Sequence, residues 1–437
     1  MPSQLKMKVW KYPELPSTWF KRTRQLDEKA VESIENDVKA IINEVKKKGD
    51  AALEKFTEKF DKAKVKAENL RVTREEIQSA YSMVSGEQVS ALKLMKGKVA
   101  SFEQLALKQL GVTTSQEGIT IQNMLFPIES VGCYVPGGQA AYPSTVVMTT
   151  VPAKAAGVPR IVVCSPPNKD GEVNPLVLVA ADICGVNEIY KVGGAQAVAA
   201  LAYGTDTIKP VQKIVGPGSK FVTMAKVVVS KDVAIDMPAG PSEVLVIADE
   251  TANPKFVAAD MVSQAEHGSD SVAGLITTSP KVAKEVLQWL TKLIRSAERC
   301  EIIEKALTEY GFVITCETTD EMIVLANVFA SEHLEVMMKK PIEVVGKLTS
   351  AGLILVGPYS PVSLSDYGSG SNHVLPTGGF ANAFSGLSAL DFARRVSVVD
   401  CSKDGLRVLK SHVKVMTEAE NLPNHYKAVE VRFENES

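Results

Sequence analysis

Four of the five histidines in this chain stand beside other groups able to hold a metal ion or move a proton. Gln264 and His267 lie three residues apart, so a helix puts both on one face, where they can grip one ion. Glu332 and His333 are neighbours, and a carboxylate beside an imidazole can divide acid and base work near neutral pH. Asp366 and His373 flank Gly368 and Gly370, whose backbone freedom permits a tight loop that aims both side chains at one point. Glu420 and His425 bracket a short polar stretch near the C-terminus, and only His412 stands apart. Nitrogen and oxygen donors without thiolate suit a zinc site that keeps a position for substrate.

Each pair also has a plainer reading. His267 precedes Gly268, and an imidazole in the last turn of a helix is favoured by the helix dipole. The 365–373 segment reads equally as a glycine turn, Glu332-His333 as a solvated pair and His425 as a surface histidine. What shifts the weight is that four of so few histidines fall in these segments. Six cysteines are scattered and none forms a CxxC pair, which argues against both a disulfide framework and a thiolate zinc site. Cys164 and Cys316 lie in apolar runs and read as buried, and Cys133 reads as packing.

The nucleotide signal is weaker. No GxGxxG follows any expected strand, and Gly216-Pro-Gly-Ser-Lys220 lacks the spacing of a phosphate loop. Tyr134-Val-Pro-Gly-Gly138 and Gly193-Gly-Ala-Gln196 do follow strands, where α/β sheets bind ligands, but either also reads as a plain strand-to-helix turn.

The elements that must position these residues come from periodicity. Apolar residues at helical spacing predict helices over 27–60, with Gly49 as a plausible stop, and over 75–110. From residue 128 strands and helices alternate: strands at 128–135, 160–164 and 188–192, helices at 144–156, 175–184 and 195–203. After a Gly/Pro-rich seam at 237–242 the alternation resumes, with strands at 243–248, 272–277 and 312–316 and helices at 254–267, 280–296 and 318–330. Such alternation argues for parallel βαβ units. The expected class is α/β, with two Rossmann-like parallel-sheet domains, incomplete for want of GxGxxG, and small N- and C-terminal helical segments. After about residue 388 the chain reads as a polar, helical tail.

At 437 residues the chain is too long for one ordinary core. A formal net charge of -2 and 23% charged residues suggest neither nucleic acid nor a disordered acidic tail. The N-terminus lacks the apolar stretch of a secretory signal, and 176–183 is too short to span a bilayer. A soluble, cytoplasmic protein with no nucleic-acid or membrane partner is expected.

Taken in order, these segments resemble the histidinol dehydrogenase family. The similarity runs from about residue 30 to 432 and is carried by 48–53, 131–148, 193–204, 235–249, 264–267, 332–335, 366–377 and 387–392. The resemblance implies a four-electron oxidation of L-histidinol through the aldehyde to L-histidine, using two NAD+ and one Zn2+ per subunit. It implies Gln264, His267, Asp366 and His425 as zinc ligands, and Glu332 and His333 as the acid–base pair. Ser242, Glu420 and His373 would contact substrate together with Gln264, His267, His333, Asp366 and His425. Tyr134, Gln196 and Ser219 would hold NAD+. The family is homodimeric with shared active sites, so His425 would complete the partner's site from a swapped tail. The implied division is an N-terminal segment (1–29), a first α/β domain (30–133 and 242–387) carrying the zinc and catalytic residues, a second on the NAD side (134–241) and the tail (388–437). Ser219 stands where the family usually has Asn, Ser331 where Pro is usual and Asn382 where Arg is common. A relative acting on another small alcohol, such as a sulfonated diol, is the competing expectation. Retention of Glu420 with His425 argues against it.

Overall fold

The computed structural model describes residues 5–17, 19, 28–109, 111–137, 141–237 and 240–434. Among them the strands run β1 (Lys8–Lys11), β2 (Thr113–Gln116), β3 (Ile119–Pro127), β4 (Ser130–Tyr134), β5 (Arg160–Ser165), β6 (Glu188–Lys191), β7 (Lys213–Val215), β8 (Ala234–Ile235), β9 (Glu243–Ala248), β10 (Val272–Thr277), β11 (Phe312–Thr315), β12 (His333–Met337), β13 (Leu353–Val356) and β14 (Ala393–Cys401).

Two all-parallel, doubly wound sheets carry the fold, as the alternation predicts. One has the order β1-β11-β10-β9-β12-β13, the other β6-β5-β4-β7-β8. In the first the chain leaves β9 toward β10 and β11, then returns to β12 on the opposite side. In the second it leaves β4 toward β5 and β6, then returns to β7. Each sheet therefore has a switch point, β9/β12 and β4/β7, the kind of crevice where α/β sheets take ligands. The central strands read as unbroken apolar runs because helices cover both faces: every residue of β9 and β12 is buried.

Several boundaries differ from the sequence reading. The expected helix over 27–60 breaks at Gly49, whose φ of 53° lies in the left-handed region, giving helices Glu28–Lys48 and Asp50–Asp61. The one expected over 75–110 is two, Arg74–Ser82 and Gly86–Lys108, because Ser85 and Gln88 form a capping box that starts a new helix. The 136–138 turn falls partly outside the described residues.

Helices within residues 30–133 line two cores of the five-stranded sheet, and one of these cores also takes in Val374 and Leu387. Val38, Ile41, Leu53 and Phe56 share a core with Val162, Val198 and Ile214, and Leu92, Met95 and Val99 share one with Val131 and Val163. These helices thus close the two faces of the five-stranded sheet. At the edge of the six-stranded sheet β1 pairs in parallel register with β11. The period-3.6 pattern fixes that these helices must bury a face, but not against which sheet.

A third, antiparallel sheet, β14-β3-β2, was not expected. Its β14 opens the segment read as a helical tail. The helices Lys403–Ala419 and Pro423–Glu430 follow, and among their described residues only Gly405 is buried. No helix among the described residues is long and apolar enough to cross a membrane.

Candidate active site

His333 opens β12 with Glu332 just before it, and Glu243 opens β9 with Ser242 just before it, so these residues gather at the amino-terminal edge of the six-stranded sheet. Gln264 and His267 reach the same edge because the helix Pro254–Ala265 runs back antiparallel to β9. The helix Val362–Tyr367 supplies Asp366, and the loop after it supplies His373. In the five-stranded sheet the polarity is reversed. Tyr134 ends β4, Gly193 and Gly194 follow β6, and Gly216 to Ser219 follow β7, all at the carboxyl edge.

Around His333 the geometry is tight. His333 is 3% exposed, and its Nδ1 lies 3.2 Å from the Glu243 carbonyl oxygen. A carbonyl only accepts, so Nδ1 carries the proton and Nε2 keeps its lone pair in the neutral ring. That Nε2 is buried without a hydrogen-bond partner and stands 3.9 Å from Asp366 Oδ1. The Glu243 backbone N–H donates to Glu332 Oε2 at 2.7 Å, and the same oxygen lies 3.6 Å from His333 Nδ1. One strand residue thus fixes both members of the pair through its backbone. Burial works to lower the basicity of His333, but the Glu332 carboxylate, then Asp366 and the Glu243 carbonyl, together raise its pKa above the usual value.

His373 Nδ1 stands 3.6 Å from Asp366 Oδ1. Burial lowers the His373 pKa, the Asp366 charge opposes this only in part, and the ring stays neutral. The neighbouring Asn372 ties this loop to the helix Pro143–Ala155: its Nδ2 donates to the Met148 carbonyl at 2.8 Å, while its Oδ1 accepts from Val374 N at 2.8 Å. Gln264 is 1% exposed and its Oε1 has no partner, an orphaned acceptor of the kind a cation satisfies. The donor set Gln264, His267 and Asp366 fits a zinc ion with one position outstanding. Among the described residues, no three His, Cys, Asp or Glu side chains form a metal cage within one chain. Glu420 and His425 lie exposed on the tail, without a polar contact to this cluster among the described residues. Of the residues singled out from sequence, the chain therefore brings Glu332, His333, Asp366 and His373 together, sets Gln264 in the last turn of the adjoining helix with His267 exposed two residues past its end, and leaves the tail pair outside.

On the second sheet the Tyr134 hydroxyl accepts from Gly194 N at 3.1 Å. Burial pushes its phenol up to about 12, so it stays neutral. Gln196 is 1% exposed with both amide atoms unpartnered. Ser219 is exposed at the start of the helix Lys220–Val229 and makes no side-chain cap bond. Gly216 cannot be replaced: its φ is 116°, and an added Cβ would sit 2.2 Å from the Tyr134 carbonyl oxygen. A fully buried ion pair, Lys226 with Asp236, holds this glycine from both sides. Asp236 Oδ2 accepts from Gly216 N at 2.7 Å, and Lys226 Nζ donates to Gly216 O at 2.9 Å. The sequence reading missed this clamp, although a lysine inside the apolar run of 220–229 is its signal. It also passed over the role of Glu335, a second charged residue two positions beyond His333 in an otherwise apolar strand. Cys133 is completely buried and its thiol is pushed up to about 12, chiefly by burial, so it offers no nucleophile.

Residues 24–433 match the family model described as histidinol dehydrogenase. The chain is 46% identical to the histidinol dehydrogenase of Clostridium acetobutylicum, over 95% of this chain and 96% of that one. It is 45% identical to that of Methanothermobacter thermautotrophicus, over 93% and 96%. The crystal structure of histidinol dehydrogenase from Elizabethkingia anophelis superposes with a TM-score of 0.92 at 37% identity, covering 99% of both chains. The chain belongs to the histidinol dehydrogenase family.

Proposed function

We propose that this chain oxidises L-histidinol to L-histidine in two hydride transfers to NAD+, as a cytoplasmic zinc enzyme of histidine biosynthesis. The observation that carries the reading is the buried His333, held by Glu243 with its Nε2 free and facing Asp366.

Gln264, His267 and Asp366, with His425 from a second copy of the chain, are the residues to hold zinc. Zinc held there would supply Lewis-acid, template chemistry for a substrate with nitrogen donors. His333 Nε2 takes the hydroxyl proton as hydride leaves the alcohol carbon for the nicotinamide. Glu332 then takes a proton from water as it adds to the aldehyde, and His333 takes a second hydroxyl proton as the hydrate gives up its hydride. Over both steps one alcohol, one water and two NAD+ become one carboxylate, two NADH and three protons. Ser242, His373 and Glu420 orient the substrate. Tyr134, Gln196 and Ser219 face the dinucleotide, and Ser219 makes a shorter reach than the Asn usual there.

The shared site implies a homodimer. The tail and the antiparallel sheet support it: Val396, Val398, Val399, Val408 and Val415 are all exposed in the single chain, apolar groups that a second copy could cover. The test is spectrophotometric. With L-histidinol and NAD+, about two NADH should form per substrate consumed. No NADH from histidinol would overturn the assignment, and a single equivalent would remove the aldehyde step.

A further inference from the structure

Glu335 and Asp260 take no part in the chemistry above, yet they lie immediately behind it. Glu335 is two residues beyond His333 on β12, so both side chains leave the same face of the strand. It is 1% exposed. Its Oε1 accepts from Val362 N at 3.0 Å, the first residue of the helix that carries Asp366. Its Oε2 is equally buried, and no N–H or O–H donor from the described chain reaches it. Its hydrogen-bonding neighbour is instead another carboxyl, that of Asp260. Asp260 sits one turn before Gln264 on the helix Pro254–Ala265. Val362 packs in one core with Val257, Ala258 and Met261 of that helix, so the three elements meet here.

Two ionised carboxylates cannot hydrogen-bond to each other, and holding the buried Glu335 charge beside that of the half-buried Asp260 without a cation is costly. A single proton between them removes the repulsion and supplies the missing donor. Burial pushes both groups toward holding it: Asp260 rises to about 6, and Glu335 rises well above the carboxylate range, with Asp260's charge adding to the effect of burial.

We propose that Asp260 and Glu335 share one proton and together act as a clamp that sets Gln264, His333 and Asp366 in register. They are positioning residues, since neither touches the reacting atoms. Through Asp260 the clamp grips the helix of Gln264. Through Val362 it grips the helix of Asp366. Its base is the strand that bears His333. The inference rests on the reading that Gln264 and Asp366 hold zinc.

The test compares zinc affinity of the whole protein, by competition with a chromogenic chelator, with thermal stability measured in excess chelator. Glu335→Gln keeps an oxygen for Val362 N and gains an N–H for Asp260, so it should stay within about threefold of wild type in zinc affinity and keep its Tm. Glu335→Leu and Asp260→Ala should each weaken zinc binding roughly 10–100-fold and lower Tm. Zinc held by Glu335→Leu and Asp260→Ala as tightly as by wild type would overturn the clamp. So would a Glu335→Gln protein that loses as much affinity or Tm as Glu335→Leu. A wild-type protein that binds no zinc would sink the metal assignment instead, and the Tm series would still judge the shared proton.

Discussion

Glu332 Oε2 lies 3.6 Å from His333 Nδ1, although the two residues are consecutive and one of them opens a strand. Adjacent strand residues point to opposite faces. The pair meets because Glu332 precedes β12 and bends back to accept the Glu243 N–H, while His333 faces the Glu243 carbonyl. The carboxylate therefore sits on the protonated side of the ring and leaves Nε2 for substrate. His333→Asn should lower the rate of alcohol oxidation roughly 10²–10⁴-fold, the usual worth of a general base. Glu332→Gln should mainly slow the aldehyde step. Single-turnover kinetics started separately from histidinol and from histidinaldehyde would check this, and equal losses in both would contradict the division of labour.

Removal of the metal should be reversible. Dialysis against a chelator should abolish activity, and zinc should restore it. Gln264→Ala, which deletes an acceptor buried without a partner, should weaken zinc binding by about tenfold or more while the fold survives. Retention of full activity in metal-free protein would contradict the proposed ligand set.

The thiol of Cys133 should be inert. Its pKa near 12 leaves essentially no thiolate at neutral pH, since thiolate forms only as pH rises toward that value. Iodoacetamide at neutral pH should label Cys300, which is exposed, and leave the Cys133 peptide unmodified by mass spectrometry. Loss of activity that tracks modification of Cys133 would contradict the packing role.

Lys226→Met should destabilise the protein by roughly 3–5 kcal/mol, because Asp236 would remain buried without its counter-ion. It should also release Gly216, so KM for NAD+ should rise more than kcat falls. Chemical denaturation and steady-state kinetics would measure the two effects, and unchanged KM would disconnect the ion pair from the nucleotide loop.

Much of the fold was legible because parallel strands buried on both faces are unbroken apolar runs: 160–164, 243–248 and 272–277 were read within a residue of β5, β9 and β10. β14 was not legible, since its alternation is weak and its residues lie almost entirely exposed in the single chain. The partnership of Glu332 with His333 followed from adjacency, but the residue that organises them, Glu243, acts through its backbone, which no side-chain pattern reveals. The usual rule for α/β sheets points to carboxyl edges. It locates Tyr134 and Ser219 but not His333, which stands at an amino edge. Glu420 and His425 are exposed in the single chain and carry no signal there; in the proposed dimer the geometry that would use them lies in another copy.

That shared geometry is the claim on which the account depends, and subunit mixing tests it most directly. His333→Asn and His425→Ala proteins, each inactive alone, are unfolded together in equal amounts and refolded. Hybrid dimers then contain one site with both residues intact, so activity should recover to about a quarter of wild type. Recovery no greater than the sum of the two parents would show that each site is built from one chain, and would contradict the account.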